Sequence, residues 1–426
     1  MVLGSNLLKM FSGKNQKFHV AWEYDFDSEI VAPLVCKKLS PEANFSILVA
    51  TKDGRVYCLD EADDKVDWFF DLKEKFGVIE SFFVDETQIN SIYNAPSVGD
   101  LNDDGFNEIV VGSDSGNVFV ISHDGNLLWK FKTKSRVRSS ALLEDVNNDG
   151  KKEIVFGSED KFLYCLTNMG KLLWKFEAHG AIESSPALLR THDKNQIIFG
   201  DDIGYVYSIT HEGQLVWEFK TGNQIISKPT IFKQDKNEDS DERYIVVGSF
   251  DKRVYFLNQN GALQWFFKSG GRVSSNITYA DVNEDLMPEF FFGSCDNNLY
   301  CLNYKGDLLW NFETDFWIVD DPHIFDINDD GKYEIIVGSY DHYLYVFDSE
   351  GEYVMDYIPG ISSVVQQSDE IGGSFTTPPG EYRGKLIYKH HFDDMIMGSD
   401  VGIGKDNKKF IVVALRNGKV IKLVYD

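Results

Sequence analysis

The chain has 426 residues, 43% hydrophobic and 14% aromatic, so it can bury a sizeable core. Its 68 acids against 42 bases give a formal charge of −26. That speaks against nucleic acid or an anionic membrane as partner, since both need a net basic footprint.

No stretch approaches the ~20 apolar residues of a membrane span. The opening MVLGSNLLKMFSGKNQ lacks the apolar run of a signal peptide, so a cytoplasmic location and a monomer are the expectation. The five cysteines include no adjacent pair and no CxxC. Cys58, Cys165 and Cys301 fall in equivalent contexts (VYCLD, LYCLT, LYCLN) and read as small core fillers, not as a disulfide framework or zinc site.

In chain order, residues 1–17 read as a tail. FHVAWEYDF (18–26) alternates apolar and polar residues like a half-buried strand and carries Trp22. From about Ile30 to Phe70 a strand-rich unit ends on Trp68, followed by an insertion around Gly77–Tyr93. A repeat then sets in. DGNLLWKF (Trp129), MGKLLWKF (Trp174), EGQLVWEF (Trp217), NGALQWFF (Trp265), KGDLLWNF (Trp310) and EGEYVMDY, with Met355 in the tryptophan place, are spaced by 45, 43, 48, 45 and 45 residues.

That period fits four short strands per unit. In the third unit they are SSALLEDV, EIVFGS, FLYCLT and KLLWKF, separated by turn residues. The last unit, KKFIVVALRNGKVIKLVY, has no outer strand after it. Residues 18–26 have that pattern with nothing before them, so they are expected to complete it and remove the open edge. The predicted fold is all-β: an eight-bladed β-propeller of four-stranded antiparallel blades, closed by the N-terminal strand. Residues 18–426 form one domain with an irregular insertion at 358–392.

Four turns between first and second strands share the pattern D-x-N-x-D-G-x-x-E. They are Asp100, Asn102, Asp104 and Glu108; Asp145, Asn147, Asp149 and Glu153; Asp281, Asn283, Asp285 and Glu289; and Asp326, Asn328, Asp330 and Glu334. Oxygen side chains at positions 1, 3, 5 and 9 can converge when the loop curls, and Gly at position 6 permits the left-handed turn. Hard oxygen ligands in an adaptable loop suit Ca²⁺. Turn propensity alone accounts for one such loop, but not for four with an acid at position 9 inside an apolar strand. Blade six departs most, with Leu286 for Gly and Pro288 nearby; blades one, four, five and eight lack the pattern, and blade five has only QDKNEDSDER.

The connections from outer to next inner strand are expected on the opposite face, at the channel mouth. They carry Arg136 and Arg138, Glu183, Lys228, Arg272, then Asp320 and Asp321. Arg136, Arg138, Lys228 and Arg272 are the candidate ligand-binding residues, a basic cluster for an anionic group or acidic peptide. His390-His391 beside Asp393 and Asp394 reads as a solvated loop, and GGSFTTPPGEYRG (372–384) as a long loop.

The unit E-I-V-x-G-S-x-D-x-x-L-Y-x-L-x-x-x-G-x-L-L-W-x-F resembles the quinoprotein-like (PQQ-like) propeller repeat, with its G-x-x-x-W at Gly125–Trp129, Gly170–Trp174, Gly213–Trp217, Gly261–Trp265 and Gly306–Trp310. The D-x-N-x-D-G loops resemble the calcium loops of FG-GAP repeats in integrin α-subunit propellers. That resemblance implies further ligands at position 7, the carbonyls of Phe106, Lys151, Met287 and Lys332. Quinoprotein dehydrogenases hold their cofactor beneath adjacent cysteines, absent here. The expectation is a non-catalytic, calcium-binding scaffold for a protein or glycan partner, the alternative a quinoprotein-type oxidoreductase or another propeller enzyme such as a lyase.

Overall fold

The computed structural model describes residues 18–72, 90–191, 195–233, 242–355 and 380–425. The N-terminal tail, most of the insertion before blade two, most of the blade-five QDKNEDSDER turn and residues 358–379 lie outside the described residues. Among the described residues every regular element is a β-strand. Six sheets have four strands, and one of eight is two four-stranded blades joined by a single parallel pairing, Asn311 with Arg383. The result is eight blades.

Blade three shows why these residues form these strands. Its second strand, Glu153–Gly157, is buried throughout and built of Ile, Val and Phe, which suit a pleat covered on both faces. Its outer strand, Leu172–Glu177, alternates exposed and half-buried residues because only one face meets the core. The cores lie between blades: Val110, Val118 and Val120 of blade two pack with Ile154, Phe156 and Leu166 of blade three.

Each outer-strand tryptophan reaches across that seam. The indole N–H of Trp22, Trp68, Trp129, Trp174, Trp217, Trp265 and Trp310 donates to a backbone carbonyl of the next blade, those of Glu61, His123, Asn168, His211, Gln259, Tyr304 and Ser349, at 2.7–3.2 Å. The glycine of G-x-x-x-W lies against the preceding blade's indole. At Gly170 φ is +79°, and a Cβ would sit 2.7 Å from the Trp129 ring. Conformation and close approach both demand glycine there.

The ring closes through the first strand. Phe18–Asp25 pairs antiparallel with Lys419–Tyr425, and Trp22 lies opposite Lys422. The seam also holds a buried ion pair: the Lys422 ammonium lies 2.5 Å from Glu61 Oε2 of blade one, and Glu61 Oε1 accepts the Lys405 N–H at 2.9 Å.

Blade seven corrects two readings. EGEYVM is not its outer strand: it continues the third strand, which runs Tyr343–Met355. The outer strand is Gly380–His391, so residues 380–391 of the expected irregular insertion are regular structure, and the insertion falls between third and outer strands. Tyr388, not Met355, takes the tryptophan place: it pairs with Val346 just before the bulge, as Trp310 pairs with Cys301. The sequence pattern misled because EGEY follows the third strand as DGNL does in blade two. His390 and His391 end this strand instead of standing in a loop.

Around the channel, side chains at the start of each inner strand bond to the next blade. Ser139 Oγ donates to Ser184 O at 3.1 Å and Ser184 Oγ to Ser227 O at 2.9 Å. Lys228 N donates to Asn276 Oδ1 and Asn276 N to Asp321 Oδ1, each at 2.7 Å. Ser399 Oγ donates to Asp320 Oδ2 at 2.6 Å, and Cys36 N to Asp400 Oδ2 at 2.7 Å.

Burial pushes the Asp320 carboxyl up to about 6 despite the bonds it accepts from Ser399 and from Gly338 N. A folded value above the ordinary 3.8 makes its contribution complete below about pH 4 and lost as pH rises through about 6. Urea denaturation from pH 4 to 7 should show wild type losing on the order of 2 kcal/mol relative to Asp320→Asn. Equal slopes would contradict this.

Candidate metal loops and binding face

The four acidic turns share one backbone form. Position 4 is left-handed in each, Asp103, Asn148, Glu284 and Asp329 all at φ 60°. Position 6 is also left-handed, at 87°, 84° and 83° for Gly105, Gly150 and Gly331 and 68° for Leu286. The side chains at positions 1, 3 and 5 curl inward onto the turn's own amides. In blade two Gly105 N donates to Asp100 Oδ2 at 2.9 Å, Asp104 N to Asn102 Oδ1 at 2.9 Å and Phe106 N to Asp104 Oδ1 at 2.8 Å. The same bonds recur at Asp145, Asn147 and Asp149, at Asp281, Asn283 and Asp285, and at Asp326, Asn328 and Asp330.

The acid at position 9 engages donors of its own turn. Glu108, Glu153, Glu289 and Glu334 are buried. Each carboxylate accepts the N–H of position 2 and the side-chain amide of position 3, as Glu334 does from Ile327 N at 2.9 Å and Asn328 Nδ2 at 2.7 Å. Burial, with the loop aspartates adding to it, raises all four, Glu289 and Glu334 to about 7. Among the described residues no three acidic, His or Cys side chains stand together around one metal position. Asp326 Oδ1 is buried without a hydrogen-bond partner, but the Lys409 ammonium already lies 3.5 Å from it.

Leu286 is strained where the other three loops have glycine. It is 60% exposed and packs little, so Leu286→Gly relieves a left-handed penalty of roughly 1–2 kcal/mol. Against the added freedom of the unfolded glycine, a net stabilisation of about 0.5–1 kcal/mol is expected in chemical denaturation. A destabilised variant would contradict the strain argument.

The expected basic cluster is not one cluster, because its members occupy different depths. Arg138 lies at the channel mouth in a bidentate pair with Asp114, at 2.9 and 2.8 Å, with its guanidinium 4.3 Å from the centre of the Tyr93 ring. Arg136 lies between Asp114 and Glu159, at 3.8 and 3.9 Å. Both are neutralised by carboxylates of neighbouring turns, a pairing that one repeat's spacing does not display. Lys228 sits deeper, in a channel cavity of about 360 Å³ shared with Glu144 and Arg190. It is open to channel water yet surrounded by protein, which lowers its ammonium from the usual value. Arg272 keeps company with aromatics, 5.3 Å from the Phe250 ring centre and 5.9 Å from that of Trp317. Asp320 and Asp321 belong to the buried channel ring instead of the mouth.

A repeated latch fixes the loops of this face and was not read from the sequence. In blades three to seven an aspartate of the second turn accepts both an N–H of the loop entering its blade and a third-strand tyrosine hydroxyl. Asp160 takes Lys134 N at 2.9 Å and Tyr164 Oη at 2.7 Å. Asp201 takes Gly180 N and Tyr207 Oη, and Asp251 takes Gly222 N and Tyr255 Oη. Asp296 takes Gly270 N and Tyr300 Oη, and Asp341 takes Asp315 N and Tyr345 Oη. In blades three, five, six and seven the D-x-x-[LV]-Y spacing carried the signal, whereas in blade four Asp201 and Tyr207 are six residues apart.

The sheets, the tryptophan seams and the closing strand define a closed eight-bladed β-propeller. A family model described as outer membrane protein assembly factor BamB matches residues 52–226, and one described as the lambda-carrageenase β-propeller domain matches residues 189–270 and 260–357. The chain is thus a β-propeller whose residues 52–226 are similar to PQQ-like repeats. No curated protein matches significantly.

Among solved structures, BamB from Moraxella catarrhalis is 13% identical with a TM-score of 0.60, over 96% of this chain and 100% of its own. Saccharomyces cerevisiae Sqt1 is 10% identical with a TM-score of 0.66, over 94% and 98%. The computationally designed Ika8 protein is 14% identical with a TM-score of 0.61, over 95% and 99%. At these identities the likeness is one of fold.

Proposed function

We propose that the chain is a non-catalytic interaction scaffold that presents one loop face to a protein partner and takes up Ca²⁺ on the other. The latched loops carry the reading. Five aspartates hold entry loops and tyrosines in place, so the face meets a partner already ordered and loses little conformational entropy on binding. The match to a family described as an assembly factor supports an interaction role.

For calcium, the support is four turns of one conformation with inward oxygens at positions 1, 3 and 5. The loop side chains at those positions would hold the ion, with the position-7 carbonyls of Phe106, Lys151, Met287 and Lys332 and the acids at position 9. Ca²⁺ would supply structural cement, neutralising carboxylates that repel one another.

Tagged protein used as bait in extracts of its source should retain one partner at near-equal stoichiometry. The enzyme alternative predicts instead a new absorbance band on adding pyrroloquinoline quinone with Ca²⁺. That band, with no stoichiometric partner, would overturn the scaffold reading.

A further inference from the structure

The loop face is chemically two halves. Each entry loop and the following second turn share a backbone bond, so each blade presents a matched pair of residues. Over blades one to three these pairs are charged and satisfied: Lys52 lies 2.7 Å from Glu29, and Arg136 and Arg138 are paired with Asp114 and Glu159.

Over blades five to eight the same positions turn aromatic and basic. Cys295 N donates to Arg272 O, Tyr340 N to Trp317 O and Arg416 N to Met395 O, each at 2.9 Å. These bonds set Arg272, Trp317, Tyr340 and Arg416 side by side around the mouth, with Phe250 on the near flank. Trp317 is 37% exposed and stacks with Phe316, itself 41% exposed, at 5.2 Å.

Arg272 and Arg416 are exposed and, among the described residues, neither forms an ion pair. Nearby carboxylates are engaged elsewhere: Glu29, which feels the charge of Arg416, pairs with Lys52, and Asp251, Asp296 and Asp341 are taken up by the latches. Two unpaired arginines beside exposed aromatics are unusual on a chain of charge −26. Tryptophan, tyrosine and arginine are the residues that dominate binding energy at protein interfaces.

Resting on the scaffold reading, we propose that Phe250, Arg272, Trp317, Tyr340 and Arg416 form the docking surface, and that its occupant is an acidic peptide segment of a partner protein bearing an apolar or aromatic anchor. The carboxylates would pair with the guanidinium groups of Arg272 and Arg416, and the anchor would cover Trp317 and Phe250. Charge complementarity selects this occupant: Arg272 and Arg416 form no ion pair among the described residues, whereas Arg136 and Arg138 already have theirs.

The probe is a random twelve-residue peptide library displayed on phage, selected on the intact chain, with recovered peptides synthesised and their affinities measured. Sequences rich in Asp or Glu beside Trp, Phe or Leu should emerge. Arg272→Glu and Trp317→Ala should each weaken them at least tenfold, while Lys134→Glu, an exposed charge reversal on the paired half of the same face, should change affinity less than twofold. Arg272 is exposed, so the melting curve of its variant should overlay that of wild type.

Peptides without acidic enrichment, or binding indifferent to Arg272→Glu, would overturn the docking surface while leaving a scaffold that binds elsewhere. If no peptide is selected the surface is likewise overturned. The scaffold reading then falls only if the bait experiment also yields no stoichiometric partner.

Discussion

Deleting residues 18–25 should lower the melting temperature by well over ten degrees, or leave the chain unable to fold. The strand is far from the rest of blade eight in sequence, yet it supplies the outer strand of that blade, pairing with Lys419–Tyr425. Its loss uncovers a row of backbone donors and acceptors on an apolar strand, an edge that invites aggregation. It also removes Phe18 from the cluster with Ile411, Leu423 and Phe392. Trp22→Ala isolates one part of this. Trp22 is half-buried and packs against the blade-one core, so about 3 kcal/mol is expected, the low end for truncating a large aromatic. An unchanged melting temperature after the deletion would show that the ring does not depend on this strand.

Glu61→Ala is the second large effect. Glu61 and Lys422 have side chains 3% and 8% exposed and meet across the closing seam at 2.5 Å. Removing the carboxylate strands a buried ammonium and leaves Lys405 N–H without its acceptor, so a loss of roughly 3–5 kcal/mol is expected. The paired change Glu61→Gln with Lys422→Met should recover most of it. It leaves no unpaired charge, and the glutamine carbonyl can still accept from Lys405. Urea titrations of wild type and the two variants check this. A double variant no better than Glu61→Ala would mean that the pair stabilises the seam beyond relieving a stranded charge.

The fold was legible in the sequence because a period near 45 residues repeats a strand pattern that only stacked blades can bury. Closure was legible too, since Trp22 stood in an outer strand with no blade before it. Blade seven was misread because residues 350–355 continue the third strand, and the outer strand arrives after an insertion without the G-x-x-x-W signature; Tyr388 fills the place instead. The four acidic turns were recognisable by spacing, but the bonds that Glu108 and its equivalents accept from positions 2 and 3 were not. A spacing argument cannot tell a ligand from a carboxylate that caps its own turn. Arg136 and Arg138 looked free because their partners, Asp114 and Glu159, stand in other turns. Arg272 was picked for its charge, whereas its aromatic neighbours Phe250 and Trp317 emerge only when entry loops and second turns are brought together.

Calorimetric titration of Ca²⁺ into chelator-treated protein tests the metal assignment most directly, with Asp149→Ala and Asp330→Ala alongside. Saturable uptake at more than one site is expected, each substitution removing one site. The melting temperature should rise with Ca²⁺, because an ion bound only by the folded loops stabilises by about 2.7 kcal/mol at a hundredfold excess over its Kd. No heat at millimolar Ca²⁺ and an unshifted melting curve would mean that the four D-x-N-x-D-G turns close on their own amides and hold no metal.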